Sequence, residues 1–218
     1  RSGSPSEDSH HALHELSRLA ASLGHEVRVA LVGTTGSTPP AGAPADAAVN
    51  ITYERVTPLG TAARGTALAA LHAYAVSQWL LLQQPQCDVA HFVDVASHAA
   101  YAIILQSQGL GLVSTALALH VHAPLHWKFQ RDAAPMDDPE VAAALHLEKV
   151  AVGLAPHVLV TSGYMRTWLR HAGLTPRLGA LQLAPFVLSH LPAAAAAGGA
   201  SSRGQRARGG AGSDGAAT

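Results

Sequence analysis

The chain has 218 residues, 48% hydrophobic and only 13% charged, with 14 basic and 14 acidic side chains balancing to a net charge of zero. That is enough apolar material for one domain with a real core, and it offers no electrostatic basis for binding nucleic acid or an anionic membrane. One cysteine, Cys87, excludes an internal disulfide framework, and the best apolar run (67–82) is broken by His72, Ser77 and Gln78, so a soluble protein of the cytoplasm or an organelle stroma is expected, with no transmembrane segment.

Along the chain, Leu13, Leu16, Leu19, Ala20 and Leu23 fall at helical spacing and predict a helix over 9–24, with Asp8 or Ser9 at its start and Gly24 after its end. The apolar run 27–33 reads as a buried strand, 34–46 as a Pro/Gly/Thr-rich loop, and 49–56 as a second, weaker strand. Residues 62–84 are helical in pattern and closed by Pro85; 88–93 is a third strand and 99–108 another helix, stopped at Gly109. A fourth strand over 113–121 opens into a polar loop. Asp138 as N-cap and Pro139 at the first helical position then start a helix to about 155. A fifth strand at 157–162, a helix capped by Ser162 and ending near Gly173, and a sixth strand at 178–184 complete the body.

Strands alternating with helices of this length predict an α/β fold: a Rossmann-like open parallel sheet flanked by helices, over residues 1–190. Several strands are apolar throughout, as expected where both faces are covered. Residues 191–218, rich in Ala and Gly with three arginines against one aspartate, cannot build a core and are expected to form a disordered tail.

In open parallel sheets the carboxyl ends of the strands hold the ligand, so the residues there are the candidates for chemistry. Asp94 ends the third strand; it either caps the next helix or accepts hydrogen bonds from a polar substrate. His120 and His122 end the fourth. Their i, i+2 spacing would suit a metal only with a third ligand, and in a chain with 14 histidines such pairs arise incidentally. His122 alone, at the strand terminus, is the residue placed to hydrogen-bond a hydroxyl or phosphate. Trp127 and Lys128 follow in the loop, an aromatic plane and an ammonium that suit a sugar and a phosphate, or else an anchor and its solvated neighbour. Glu148 lies on or beside the buried stripe of its helix, to pair internally or to reach the cleft. Ser162 places a helix N-terminus at the end of the fifth strand, an anion-friendly position that capping alone also explains. No GxGxxG follows a strand, and there is no Walker A, GxSxG or HExxH pattern, which counts against oxidoreductase, NTPase and α/β-hydrolase readings.

Taken together, CDVAHFVDVASHAAYAIILQSQGL, LALHVHAPLHWKF and MDDPE followed by HLEKVAVGLAPHVLVTSGYMRTWLRHAG resemble the N-terminal domain of the family-four retaining glycosyltransferases, and HELSRLAASLGHEVRVALVG is similar to their early helix and strand. The resemblance spans residues 9–188 and is densest over 87–176. It implies one half of a GT-B enzyme, two Rossmann-like domains facing across a cleft, that transfers a sugar from a nucleotide-sugar donor to an acceptor hydroxyl with retention and without a cofactor or metal. His122 takes the place of the family's loop histidine beside the transferred sugar, and Asp94, Trp127, Lys128, Glu148 and Ser162 take substrate-side places. Ala123 stands where that family has a glycine, and Val93 where a polar residue is common. The family's first strand and donor-binding half have no counterpart among these residues, so little or no transfer is expected from them alone. The other reading is a non-catalytic Rossmann-like binding or scaffold domain.

Overall fold

The computed structural model describes residues 5–32, 50–58, 67–93, 96–177 and 179–185. All belong to one compact unit, residues 1–188. In chain order the elements are α1 (Pro5–Ser22), β1 (Val27–Val32), β2 (Ile51–Val56), α2 (Leu68–Gln83), β3 (Val89–Val93), α3 (Ala96–Ser107), β4 (Ala116–Val121), α4 (Leu125–Arg131), α5 (Pro139–Leu154), β5 (His157–Val160), α6 (Gly163–His171) and β6 (Leu181–Leu183). The α/β class read from the sequence is the class observed, and every described strand pair is parallel.

The strands form two sheets rather than one. β1 pairs only with β2, while β3, β4, β5 and β6 lie side by side in that order. Between β1 and β2, and again from β3 to β6, sequential strands are neighbours, as right-handed crossovers produce. Helices α2, α3 and α5 pack on one another as a layer; α2 also meets β1 and β2, and α3 meets β3 and β4. α1 rests against β1, β2 and β3, and α6 against β5 and β6. One apolar core therefore joins both sheets, with Ile103, Leu117, Leu119, Val152, Val158, Val160 and Leu169 fully buried and Val56, Ala30 and Val32 packed into the same cluster.

Local signals act where the residues place them. Asp138 accepts from the Glu140 amide at 2.8 Å and Ser162 Oγ from the Met165 amide at 3.1 Å, capping α5 and α6. Gly173, at φ +70°, closes α6 with paired bonds from its own amide to Arg170 and from Leu174 to Leu169. α4 ends in the same arrangement, Ala133 to Gln130 and Ala134 to Phe129, but with an alanine at φ +47° in the left-handed position. A Cβ there is strained by roughly 1 kcal/mol.

The clearest departure from expectation is α4. The segment read as a polar loop after the fourth strand contains this helix, so Trp127 and Lys128 sit on it rather than on a loop. Its N-cap is Pro124, which offers no side-chain acceptor, and this is why no capping signature precedes it. The fourth strand also begins later than its apolar run: Leu112, at φ +57°, turns the chain, and Val113–Thr115 remain outside the ladder. α1 starts at Pro5, ahead of the expected caps.

Candidate functional site

β1 and β2 form one ladder and β3 to β6 another, every pair parallel, so the strands of each ladder end on one edge. In open parallel sheets ligands bind outside the carboxyl ends of the strands. Asp94, at the end of β3, lies outside the described residues. The residues that follow β4 and β5 are described, and they come together.

His122 is exposed immediately after β4, with Nδ1 3.4 Å from the Thr161 hydroxyl at the end of β5. Across α4, Trp127 is half-buried against the core; its indole N–H donates to the Tyr164 hydroxyl at 3.2 Å. The Arg131 guanidinium lies 4.9 Å from the Trp127 ring centroid, a cation–π distance. His126 packs against Trp168 of α6, ring centroids 6.1 Å apart. The residues after β4 and β5 therefore present an imidazole beside a hydroxyl, and an indole bonded to a phenol. Such a set suits a neutral polyhydroxyl ligand: aromatic planes for its apolar C–H faces and hydrogen-bonding groups for its hydroxyls.

Glu148 is buried, with 2% of its surface exposed, and its carboxylate accepts from the Leu125 and His126 amides at 2.7 and 3.0 Å. These are the first two amides of α4, the ones its own N-cap leaves unserved. A carboxylate on α5 thus caps a different helix, and the two charge-assisted bonds offset the desolvation of its charge. Ser162 caps α6 as expected, and Lys128 sits half-buried on α4.

The two histidines at the end of β4 serve different ends. His120 is 4% exposed; its Nε2 lies 3.1 Å from the Ala184 carbonyl, and its ring stacks on His91 of β3 at 5.5 Å. Burial, with the neighbouring His120, pushes the His91 imidazole down to about 4. A second pair, His72 and His98, meets edge-to-face at 5.3 Å between α2 and α3; burial, then His72, holds His98 at about 4, and burial lowers His72. Among the described residues no cluster of three metal-ligating side chains exists.

Of the residues singled out from sequence, His122, Trp127, Lys128, Glu148 and Ser162 lie on β4's end, α4, α5 and α6 around one corner of the sheet. Sequence reasoning passed over Arg131 and the Trp127–Tyr164 bond; without α4, neither residue could be set beside the other. No helix among the described residues is long and apolar enough to cross a membrane. Comparison with family models, with curated proteins and with solved structures finds no match to this chain.

Proposed function

We propose that this domain is the acceptor-side half of a nucleotide-sugar-dependent glycosyltransferase of GT-B architecture, acting with retention of configuration. The observation that carries the reading is His122, exposed at the carboxyl end of β4 beside Thr161, with the Trp127–Tyr164 pair on the helices that follow β4 and β5. In the reaction the bond from the anomeric carbon to the diphosphate breaks and a bond to the acceptor oxygen forms, the acceptor proton leaving with the diphosphate. His122 orients hydroxyls at that centre, and Trp127, Tyr164 and Lys128 bound the acceptor. Glu148 and Ser162 act indirectly, by fixing the first turns of α4 and α6. Negative charge grows on the leaving diphosphate, so donors aimed at phosphate carry most of the rate enhancement.

The test is a titration of residues 1–218 with simple glycosides and with UDP-, GDP- and ADP-sugars, followed by NMR. Glycosides should shift the His122 and Thr161 resonances, and His122→Ala should weaken that binding about tenfold, the loss of one or two well-placed hydrogen bonds. Transfer by residues 1–218 alone should be very slow. Rapid transfer would overturn the half-enzyme reading, and silence at His122 with every glycoside would favour a non-catalytic binding or scaffold domain.

A further inference from the structure

Two aromatic side chains of the candidate site share one hydrogen bond but not one environment. Trp127 is half-buried against the core, and the Arg131 guanidinium lies over its ring, 4.9 Å from the centroid. That guanidinium is itself held by Asp132, with bonds of 2.7 and 2.9 Å to the two carboxylate oxygens. The indole edge is engaged as well, its N–H donating to the Tyr164 hydroxyl at 3.2 Å. A cation over an indole face takes the place that a sugar ring would have on it. Tyr164, by contrast, is 64% exposed.

The fold holds Tyr164 at both ends. It is the second residue of α6 and lies between the Ser162 cap and the buried Met165. Ser162 Oγ accepts from the Met165 amide at 3.1 Å, and the Ser162 carbonyl accepts from the Arg166 amide at 3.0 Å. The phenol tip is held from α4, which starts on the two amides that Glu148 fixes, with Trp127 directly after them. A side chain fixed in this way loses little rotamer freedom when a ligand settles on it. The space next to its backbone is open, since a Cβ added at Gly163 would meet nothing within 4 Å. The hydroxyl also has a proton to give. Its oxygen accepts from the indole, and among the described residues no acceptor takes its own O–H. A hydroxyl that already accepts a hydrogen bond is polarised and donates a stronger one.

We propose that Tyr164 is the ligand-contacting aromatic of this edge: a pyranose lays its C–H face on the phenol ring, and an oxygen at the rim of that sugar accepts the phenol proton. Trp127, the aromatic that the sequence singles out, is then a positioning residue that acts through Tyr164. This inference rests on the reading of the edge as a site for a polyhydroxyl ligand, and adds which side chain meets that ligand.

The experiment titrates residues 1–218 and their variants with methyl glucopyranoside, galactopyranoside and mannopyranoside, following the aromatic ring resonances by NMR together with His122 and Thr161. The Tyr164 ring should shift with the best of these glycosides, and more than the Trp127 ring. Tyr164→Ala should weaken binding at least about tenfold. Tyr164→Phe keeps the ring, loses the proton and should weaken binding about threefold; because it removes only an exposed hydroxyl, it keeps the test decisive if Tyr164→Ala disturbs α6. Trp127→Phe should weaken binding by a similar factor in the unchanged chain and add no further loss to Tyr164→Phe. Equal losses from Trp127→Phe in both backgrounds would make Trp127 the contact and overturn the proposal. Glycosides that shift His122 and Thr161 yet bind both Tyr164 variants as tightly as the unchanged chain would overturn it too, and leave the reading of the edge standing. No glycoside-induced shift at any of these residues would remove both.

Discussion

The sheet β3–β6 and the pair β1–β2 are built by the same rules and finished to different degrees. β4 has neighbours on both edges and helices packed over it, and all but two of its residues are buried; of the pair, only Val29 and Val56 are. The apolar content of the strands does not explain this, since VRVALV of β1 is nearly as apolar as ALALHV of β4. The difference lies in the number of neighbours. Apolar residues contribute stability in proportion to the area taken out of water, and a strand with one neighbour takes out less.

The largest expected effect comes from acid and acts on the buried histidines of β3 and α3. His91 and His98 fold as neutral imidazoles near 4, against about 6.5 when unfolded. The sign follows from proton binding: below pH 6.5 the unfolded chain takes up protons that the folded chain refuses. Stability is therefore intact above pH 6.5 and falls progressively as the pH drops toward 4, by on the order of 3 kcal/mol for each histidine. Urea midpoints measured across that window should show the loss, and His98→Leu should remove part of it; a flat profile would show that these rings are accessible to water.

A matched pair of truncations sharpens the comparison next. Leu119→Ala in fully buried β4 should lose about 3 kcal/mol, and Leu31→Ala in half-buried β1 about 1 kcal/mol. Equal losses in chemical denaturation would mean that β1 is as well covered as β4. The smallest change is stabilising and touches neither sheet: Ala133→Gly relieves the left-handed alanine after α4. It should raise stability by a few tenths to about 1 kcal/mol, the relief of strain being partly offset by the freer unfolded chain. A thermal melt would register it as a rise of a few degrees.

Much of the fold was legible because its signals are local. Asp138 and Pro139 announce α5, Ser162 announces α6, and the apolar run ending at Val121 announces β4. α4 was not legible, because its cap is not adjacent in sequence: the carboxylate that serves Leu125 and His126 comes from Glu148, more than twenty residues later. The same is true of the candidate site. His122 could be placed at a strand end from its neighbours alone, whereas its approach to Thr161 depends on β4 and β5 lying side by side.

What the sequence by itself determined is therefore the α/β class, the order of strands and helices apart from α4, and the strand end that carries His122. All of these follow from periodicity, capping and chain-breaking residues within a few positions of one another. Only the tertiary structure decided that His120 turns inward to Ala184 while His122 stays exposed, that Glu148 fastens one helix to another, and that β1 and β2 pair apart from β3 to β6. Each of these depends on groups distant in the chain sharing hydrogen bonds or buried surface, and no local pattern encodes which distant partner a group will find.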